Sequence, residues 1–478
     1  MGRPCAAGIK LGCMNVLFAS AEVAPFSKTG GLGDVAGALP AALAAQGLGV
    51  LVVTPWYGRL GGGVAPYWIG DVEVPFAGGF ETVGVGTLER AGVTYAFVGN
   101  ERFSRPELYG YADDVQRFAL FSRSVPQVAA RLGFRPDVVH ANDWHTGYLP
   151  MLMTHGWHLP AGFPGLPTVY TVHNAQYQGT ADLEETLWWL RLPAELRYSY
   201  LHHFGAANAM QAGLGFATMI TTVSPTYATE LTQSEYGFGL DGTFRSLSGK
   251  LVGILNGIDT HEWDPGADHL LPRPYGPTRL EGKAAAKGAL VERFGLEADR
   301  PVLGVVSRFA EQKGIDLLLA AGPRLVEAGW SLVMLGTGDP YTEAAAVKLA
   351  GDLPGRVAVH VGFDEGLAHL VYGGSDALAV PSRFEPCGLS QMIAMRYGTL
   401  PVVRATGGLR DTVEHGRTGF SFAHADPDSL VEAGAEALRT YRDAPAWRAM
   451  MTEAMEQDFS WSRSAARYAA LYRSVVGG

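Results

Sequence analysis

Two cations set five residues apart are the first pair in this sequence whose types and spacing point to chemistry. Ser307-Arg308-Phe309 closes an apolar run, and Gln312-Lys313-Gly314 opens a helical pattern, so Arg308 and Lys313 flank a strand-to-helix loop. An arginine grips two phosphate oxygens at once and a lysine supplies a point charge, which suits a pyrophosphate. The stretch Pro381-Ser382-Arg383-Phe384-Glu385-Pro386-Cys387-Gly388-Leu389-Ser390-Gln391 repeats the strand–loop–helix pattern. Its one carboxylate, Glu385, stands at the loop apex and suits a sugar or ribose hydroxyl. Gly388 and the residues after it offer amide donors at a helix start. No local residue activates the Cys387 thiol, which reads as a small packing group.

A third loop, Ser27-Lys28-Thr29-Gly30-Gly31-Leu32-Gly33-Asp34-Val35, joins a cation, three glycines and a helix start. Bare backbone lets an anion approach closely, and the first amides of a helix point at it. Gly31-Leu32-Gly33-Asp34-Val35-Ala36 also satisfies the dinucleotide fingerprint in form. About ten residues separate it from the preceding strand, however, and the fingerprint follows its strand directly. The second strand ends in Thr54-Pro55-Trp56 without the acidic residue that would hold a ribose, and no Walker A sequence is present. A dehydrogenase is therefore not expected. Two polar clusters complete the set: His140-Ala141-Asn142-Asp143-Trp144-His145 and Thr171-Val172-His173-Asn174. An aromatic ring among polar groups suits carbohydrate, while His140 equally suits loop capping. The tight spacing of His140, Asp143 and His145 gives no reason for them to converge, so no metal site is expected there.

The elements that must position these loops are legible as alternating strand and helix patterns, the signature of parallel βαβ units. Strands are expected at Asn15–Ser20, Val50–Thr54, Thr94–Val98, Asp137–His140, Thr168–Val172 and Met219–Val223. A second series falls at Val302–Ser307, Ser331–Leu335, Val357–Val361, Ala377–Pro381 and Val402–Ala405. Helices are expected over Gly33–Gln46, Gly314–Ala328 and Asp428–Arg442. Asn256–Gly282 is aperiodic and rich in Pro, Gly, Asp and His, a linker composition that places a domain boundary near residue 258. Ser462–Val475 carries an amphipathic stripe (Ala465, Tyr468, Leu471, Tyr472, Val475) that must be buried somewhere.

Composition fits an enzyme of this kind. The chain has 478 residues, beyond one ordinary core, and is 47% hydrophobic and 18% charged. A net charge of −10 disfavours nucleic acid and anionic membrane as partners. Three scattered cysteines (Cys5, Cys13, Cys387) make neither a disulfide framework nor a zinc site and fit a cytoplasmic location. The first thirteen residues read as an extension without a secretory core.

Taken together, the Lys28–Val35, His140–His145, Thr171–Asn174, Gly253–Asp259, Ser307–Gly314 and Pro381–Gln391 segments resemble the bacterial glycogen synthase and plant starch synthase family, in family order along nearly the whole chain. The resemblance implies a GT-B fold: two Rossmann-like doubly wound parallel-sheet α/β domains facing across a deep cleft. An acceptor domain would span 1–258, with 1–13 as an extension, and a nucleotide-sugar domain 259–460. A C-terminal helix over 461–478 would cross back to the first. It implies retaining transfer of glucose from ADP-glucose to an α-1,4-glucan (glycogen or a maltooligosaccharide), without metal or pyridoxal phosphate. By that resemblance Glu385, His173, Arg308 and Lys313 are catalytic. Lys28, Gly30, Gly31, Asn174, Arg308, Lys313 and the Cys387, Gly388, Leu389 and Ser390 backbone bind the donor. Asp143 and His145 face the acceptor. Many retaining relatives carry a second Glu eight residues after the first; here that position is Ile393, as is common in the synthases. The residues themselves leave donor base and oligomeric state open. Another retaining GT-B enzyme with a different nucleotide sugar, or a non-catalytic glucan- or nucleotide-binding protein, would share these features.

Overall fold

The computed structural model describes residues 14–58 and 65–477. The 1–13 extension, with Cys5 and Cys13, lies outside the described residues. The chain divides into two compact units. Unit 1 takes in the chain up to Val223, then Ala228–Leu255 and the terminal segment from Trp461. Unit 2 comprises Ser224–Tyr227 and Asn256–Ser460.

Unit 1 is built on a sheet of nine described strands. In spatial order they are Leu251–Gly253, Met219–Thr222, Thr168–Val172, Val138–Asn142, Asn15–Ala19, Gly49–Pro55, Val93–Gly99, Gly79–Arg90 and Tyr67–Phe76. The first seven pair in parallel. Val16, Leu17, Phe18 and Ala19 are wholly buried, as are Leu51, Val52 and Val53. Strands covered on both faces need such unbroken apolar runs, which is why they stand out in the sequence. The last two strands are antiparallel additions. Two turns, Ala77-Gly78 and Ala91-Gly92, make them, with both residues of each at positive φ. That backbone matches the twist of a two-residue hairpin.

Helix Trp461–Val476 completes the unit 1 core. Trp461, Ala465, Tyr468, Ala469 and Tyr472 lie in one cluster with Val35, Leu39 and Leu43 of helix Gly31–Ala45. Ser464 Oγ donates to the Leu255 carbonyl at 2.6 Å, and Gln46 Nε2 to that of Ser462 at 3.0 Å.

Unit 2 carries six parallel strands in the order Val357–Val361, Ser331–Gly336, Val302–Val306, Ala377–Val380, Leu400–Arg404, Phe420–Phe422. Numbered along the chain this is 3-2-1-4-5-6, the doubly wound nucleotide-binding order. Every strand expected from the apolar runs is present, with ends moved by one or two residues. The aperiodic Asn256–Gly282 stretch falls within unit 2, and its end already forms the start of helix Glu281–Phe294. No helix among the described residues is long and apolar enough to cross a membrane.

Candidate active site

In a doubly wound sheet, ligands collect where neighbouring strands send their connections to opposite sides. In unit 2 that point lies between Val302–Val306 and Ala377–Val380, and the loops leaving these strands carry Arg308, Lys313 and Glu385. In unit 1 it lies between Asn15–Ala19 and Val138–Asn142, whose loops carry Lys28 and Asp143. Each unit thus carries one candidate site of its own.

In the unit 2 site, Lys313 Nζ meets Glu385 Oε2 at 2.6 Å, and Ser382 Oγ donates to the same oxygen at 2.9 Å. Glu385 is buried and Lys313 partly so, whereas Arg308 is exposed. Lys313 and Glu385, expected to hold phosphate and sugar, are brought together, with the Lys313 charge already partnered. Glycines set this geometry. Gly314 has φ 66°, and a Cβ there would lie 2.1 Å from the Pro381 carbonyl, so the two loops touch through bare backbone. Gly407, which the sequence reading did not single out, would clash at 1.9 Å with the Glu385 carbonyl. Gly408 N donates to that carbonyl at 3.1 Å. A Thr406-Gly407-Gly408 helix start therefore braces the Glu385 loop. The Cys387 thiol is buried and pushed up to about 12 by desolvation, so it packs rather than reacts. Gln391 Nε2 holds the Cys387 and Gly388 carbonyls at 3.1 and 2.9 Å. Leu389 and Ser390 begin the following short helix and are partly exposed.

The unit 1 site rests on backbone strain and desolvated histidines. Asp143 has φ 55° and ψ −179°, a region glycine alone adopts readily. Its Oδ1 accepts from the His173 amide at 2.7 Å, and its own amide donates to the Thr171 carbonyl at 2.9 Å, which hold it there. Burial raises the Asp143 carboxyl to about 7, against the lowering effect of the His173 and Asn174 amides. His173 is pushed down to about 3 by burial and stays neutral. Asn142 Nδ2 donates to the Ala19 carbonyl, so its Oδ1 accepts from His173 Nε2 at 2.9 Å. That fixes the tautomer and leaves His173 Nδ1 as an acceptor. Asn174 Oδ1 accepts from the Gln176 amide at 3.0 Å. His145 is buried against Tyr109, Phe118 and Trp144, and desolvation lowers it too.

His140 takes the capping-type role. Its ring joins Tyr472 Oη and Thr171 Oγ1, each at 2.6 Å, in the sealed interior.

The glycine loop departs from the sequence expectation at one atom. The Gly30 amide donates not outward but to Glu22 Oε2 at 3.1 Å. Glu22 is buried and also accepts from the Thr29 amide at 2.6 Å, Thr29 Oγ1 at 2.8 Å and Tyr109 Oη at 2.8 Å. A carboxylate of the chain itself thus fills part of the anion nest, which explains the long connection between strand and glycines. Sequence reasoning missed Glu22; the signal was an acidic residue three positions past a buried strand. It also missed Arg117, wholly buried, which pairs with Asp114 at 2.7 Å, bonds the Leu108 carbonyl and so shapes the loop presenting Tyr109. The outward donors left at the helix start belong to Gly31 and Leu32. A Cβ at Gly30 or Gly31 meets nothing within 4 Å, and Gly30 has extended backbone. Neither crowding within the protein nor conformation demands glycine at Gly30; open space over bare backbone is what a ligand needs. Lys28 beside it is half exposed and pairs with Asp34 at 2.5 Å.

Residues 15–246 match the family model of the starch synthase catalytic domain, and residues 288–455 that of glycosyl transferases group 1. A glycogen synthase of Deinococcus deserti is 49% identical over 468 residues, covering 97% of this chain and all of the relative. One from Anaeromyxobacter sp. (strain Fw109-5) is 46% identical over 477 residues, with the same coverage. Among solved structures, the catalytic domain of starch synthase IV from Arabidopsis thaliana, bound to ADP and acarbose, superposes with a TM-score of 0.89 at 33% identity. That match covers 98% of this chain and all of the other. A sucrose-phosphate synthase from Thermosynechococcus elongatus reaches 0.63 at 20% identity, which shows the GT-B fold alone. With full-length relatives nearly half identical and family models matched in both units, the chain belongs to the glycogen synthase and starch synthase family of glycosyltransferases.

Proposed function

We propose that this enzyme transfers glucose from ADP-glucose to the non-reducing end of an α-1,4-glucan with retention, releasing ADP, in the cytoplasm. The observation that carries the reading is the placement of Arg308, Lys313 and Glu385 at the sheet's switch point in unit 2. Cleaving a bond to diphosphate puts negative charge on the departing oxygen, and a fixed guanidinium and ammonium stabilise it electrostatically. Exposed Arg308 is free to grip a pair of phosphate oxygens, having no ion pair among the described residues, whereas Lys313 exchanges part of its contact with Glu385 for phosphate. Glu385 then turns to the glucosyl hydroxyls. Neutral His173 offers Nδ1 to a sugar hydroxyl as an acceptor, and Asn174 lies beside it. Lys28 and the Gly31 amide approach the donor from the open side of their loop. In unit 2, Cys387, Gly388, Leu389 and Ser390 offer their backbone to the donor. Asp143 and His145 serve the acceptor.

The reading assigns no resident metal or pyridoxal phosphate to the transfer, because Arg308 and Lys313 fill the role of a cation on the diphosphate. Purified enzyme given ADP-glucose and maltoheptaose in excess EDTA should release ADP and lengthen the oligosaccharide by single α-1,4-linked glucoses. UDP-glucose in a parallel reaction tests the base. Release of ADP without chain growth, or turnover abolished by EDTA and restored by magnesium, would overturn the proposal.

A further inference from the structure

Away from these loops, unit 2 brings together two glutamates and a histidine that lie far apart in sequence. Glu365 and His369 sit one turn apart on helix Glu365–Gly374, and Glu262 comes from the turn that follows Asp259. One potential ligand atom from each of the three lies within 4.8 Å of the others. The glutamates are exposed, while His369 retains only 3% of its surface.

The histidine is the decisive member. Its Nδ1 is bonded to Asp268 Oδ2 at 2.8 Å, and Tyr397 Oη donates to the same carboxylate oxygen at 2.6 Å. Asp268 Oδ2 thus anchors both the ring and the phenol. Trp263 stacks on the ring at 4.2 Å and 18°, fixing its plane. With Nδ1 committed to Asp268, Nε2 is the ring nitrogen left for a ligand. That atom is buried and, among the described residues, has no hydrogen-bond partner. Leaving a polar atom sealed and unpaired is costly, so such atoms call for an occupant. A carboxylate behind one ring nitrogen is also the usual backing of a metal-bound imidazole, since it sets the tautomer and raises basicity.

We propose that Glu262, Glu365 and His369 Nε2 bind one divalent transition-metal ion, with Asp268 and Tyr397 as its outer support. One imidazole and two carboxylates suit zinc or a neighbouring first-row ion, whereas magnesium prefers an all-oxygen octahedron. Ligation at about 2.0–2.2 Å requires the glutamate ends to draw inward, which their exposure permits. The ion would fasten the 259–263 turn to helix Glu365–Gly374, so it acts on the scaffold of unit 2. EDTA-resistant transfer and zinc binding are therefore compatible, and each can fail without the other.

The test is calorimetric titration of the full chain, stripped with EDTA and dialysed, with zinc chloride and separately with magnesium chloride. One saturable zinc site is expected, with magnesium at least about a hundredfold weaker. Glu262→Gln and Glu365→Gln change exposed side chains and should fold; each should weaken zinc at least about tenfold, and the double variant should abolish the site. Tyr397→Phe should weaken it by about tenfold through the outer support. Absence of saturable zinc binding to the unaltered chain would overturn the proposal. So would a double variant that binds as tightly as the unaltered chain.

Discussion

The two candidate sites, one in each unit, are built from opposite materials. Unit 2 presents charge: an exposed arginine, and a lysine held 2.6 Å from a buried glutamate by loops that only glycine allows to touch. Unit 1 presents groups stripped of charge by burial: histidines 140 and 173 pushed down to about 3 and Asp143 pushed up to about 7. A diphosphate leaving group needs fixed countercharge, while sugar hydroxyls need directed neutral acceptors and donors. The division teaches that burial is a tool of specificity in one unit and a limit on charge in the other. It also separates two kinds of failure, since substitutions of Arg308, Lys313 and Glu385 should act on rate and those around the sealed His140 ring on stability.

The largest effect should come from unit 2. Arg308→Ala should lower kcat by roughly a hundredfold or more with a smaller change in donor KM, because the lost interaction strengthens as the leaving oxygen gains charge. Glu385→Ala should lose as much. Lys313→Ala/Glu385→Ala together should cost less than the product of the single losses, since each single change strands a partner. Steady-state kinetics on the four variants decides this, and strict multiplicativity would break the idea of a working pair.

Tyr472→Phe probes unit 1 and should leave kcat of the folded enzyme near normal. It removes the 2.6 Å partner of His140 in the sealed interior, at a cost of about 1–3 kcal/mol. The expected readout is a melting temperature lower by a few degrees; an unchanged melt with reduced kcat would reverse the assignment.

The smallest effect concerns pH. Asp143 takes up its proton more readily when folded, so between an unfolded value near 3.8 and a folded value of about 7 the folded state binds more protons. Stability therefore falls as pH rises through that window. Asp143→Asn keeps the acceptor for the His173 amide without the charge. It should raise the melting temperature more at pH 8 than at pH 5. An equal shift at both would mean that Asp143 is solvated in solution.

Where the sequence was readable, one physical signal dominated. Strands buried on both faces cannot afford polar residues, so Val16–Ala19 and Leu51–Val53 announced themselves. The hairpins at Ala77-Gly78 and Ala91-Gly92 did not, because alanine stands at the first turn position where asparagine or aspartate would have marked the left-handed backbone. The strand-end loops were legible because cations and glycines repeat the same strand–loop–helix context. Glu22 and Arg117 were not: a lone glutamate or a helix arginine is normally solvated, and only the fold reveals Glu22 buried under the Tyr109 hydroxyl and Arg117 buried against the Leu108 carbonyl. The Glu262–Glu365–His369 grouping was invisible for a simpler reason, since about a hundred residues separate its first member from the other two.

The C-terminal helix has a consequence for how the chain is made. Tyr468 and Tyr472 belong to the same interior cluster as Phe18 and Val35, yet the ribosome delivers them after all of unit 2. At about 5–20 residues per second, the first sheet must wait some tens of seconds for the residues that close it. During that interval the apolar face of helix Gly31–Ala45 and the ring of His140 lack their cover. Unit 2, from Asn256 to Ser460, is contiguous apart from the four-residue Ser224–Tyr227 segment, itself made earlier, and can close before release. The half of the enzyme translated first is therefore the half finished last. A nascent chain stalled before Trp461 exposes a sticky surface that the completed chain hides.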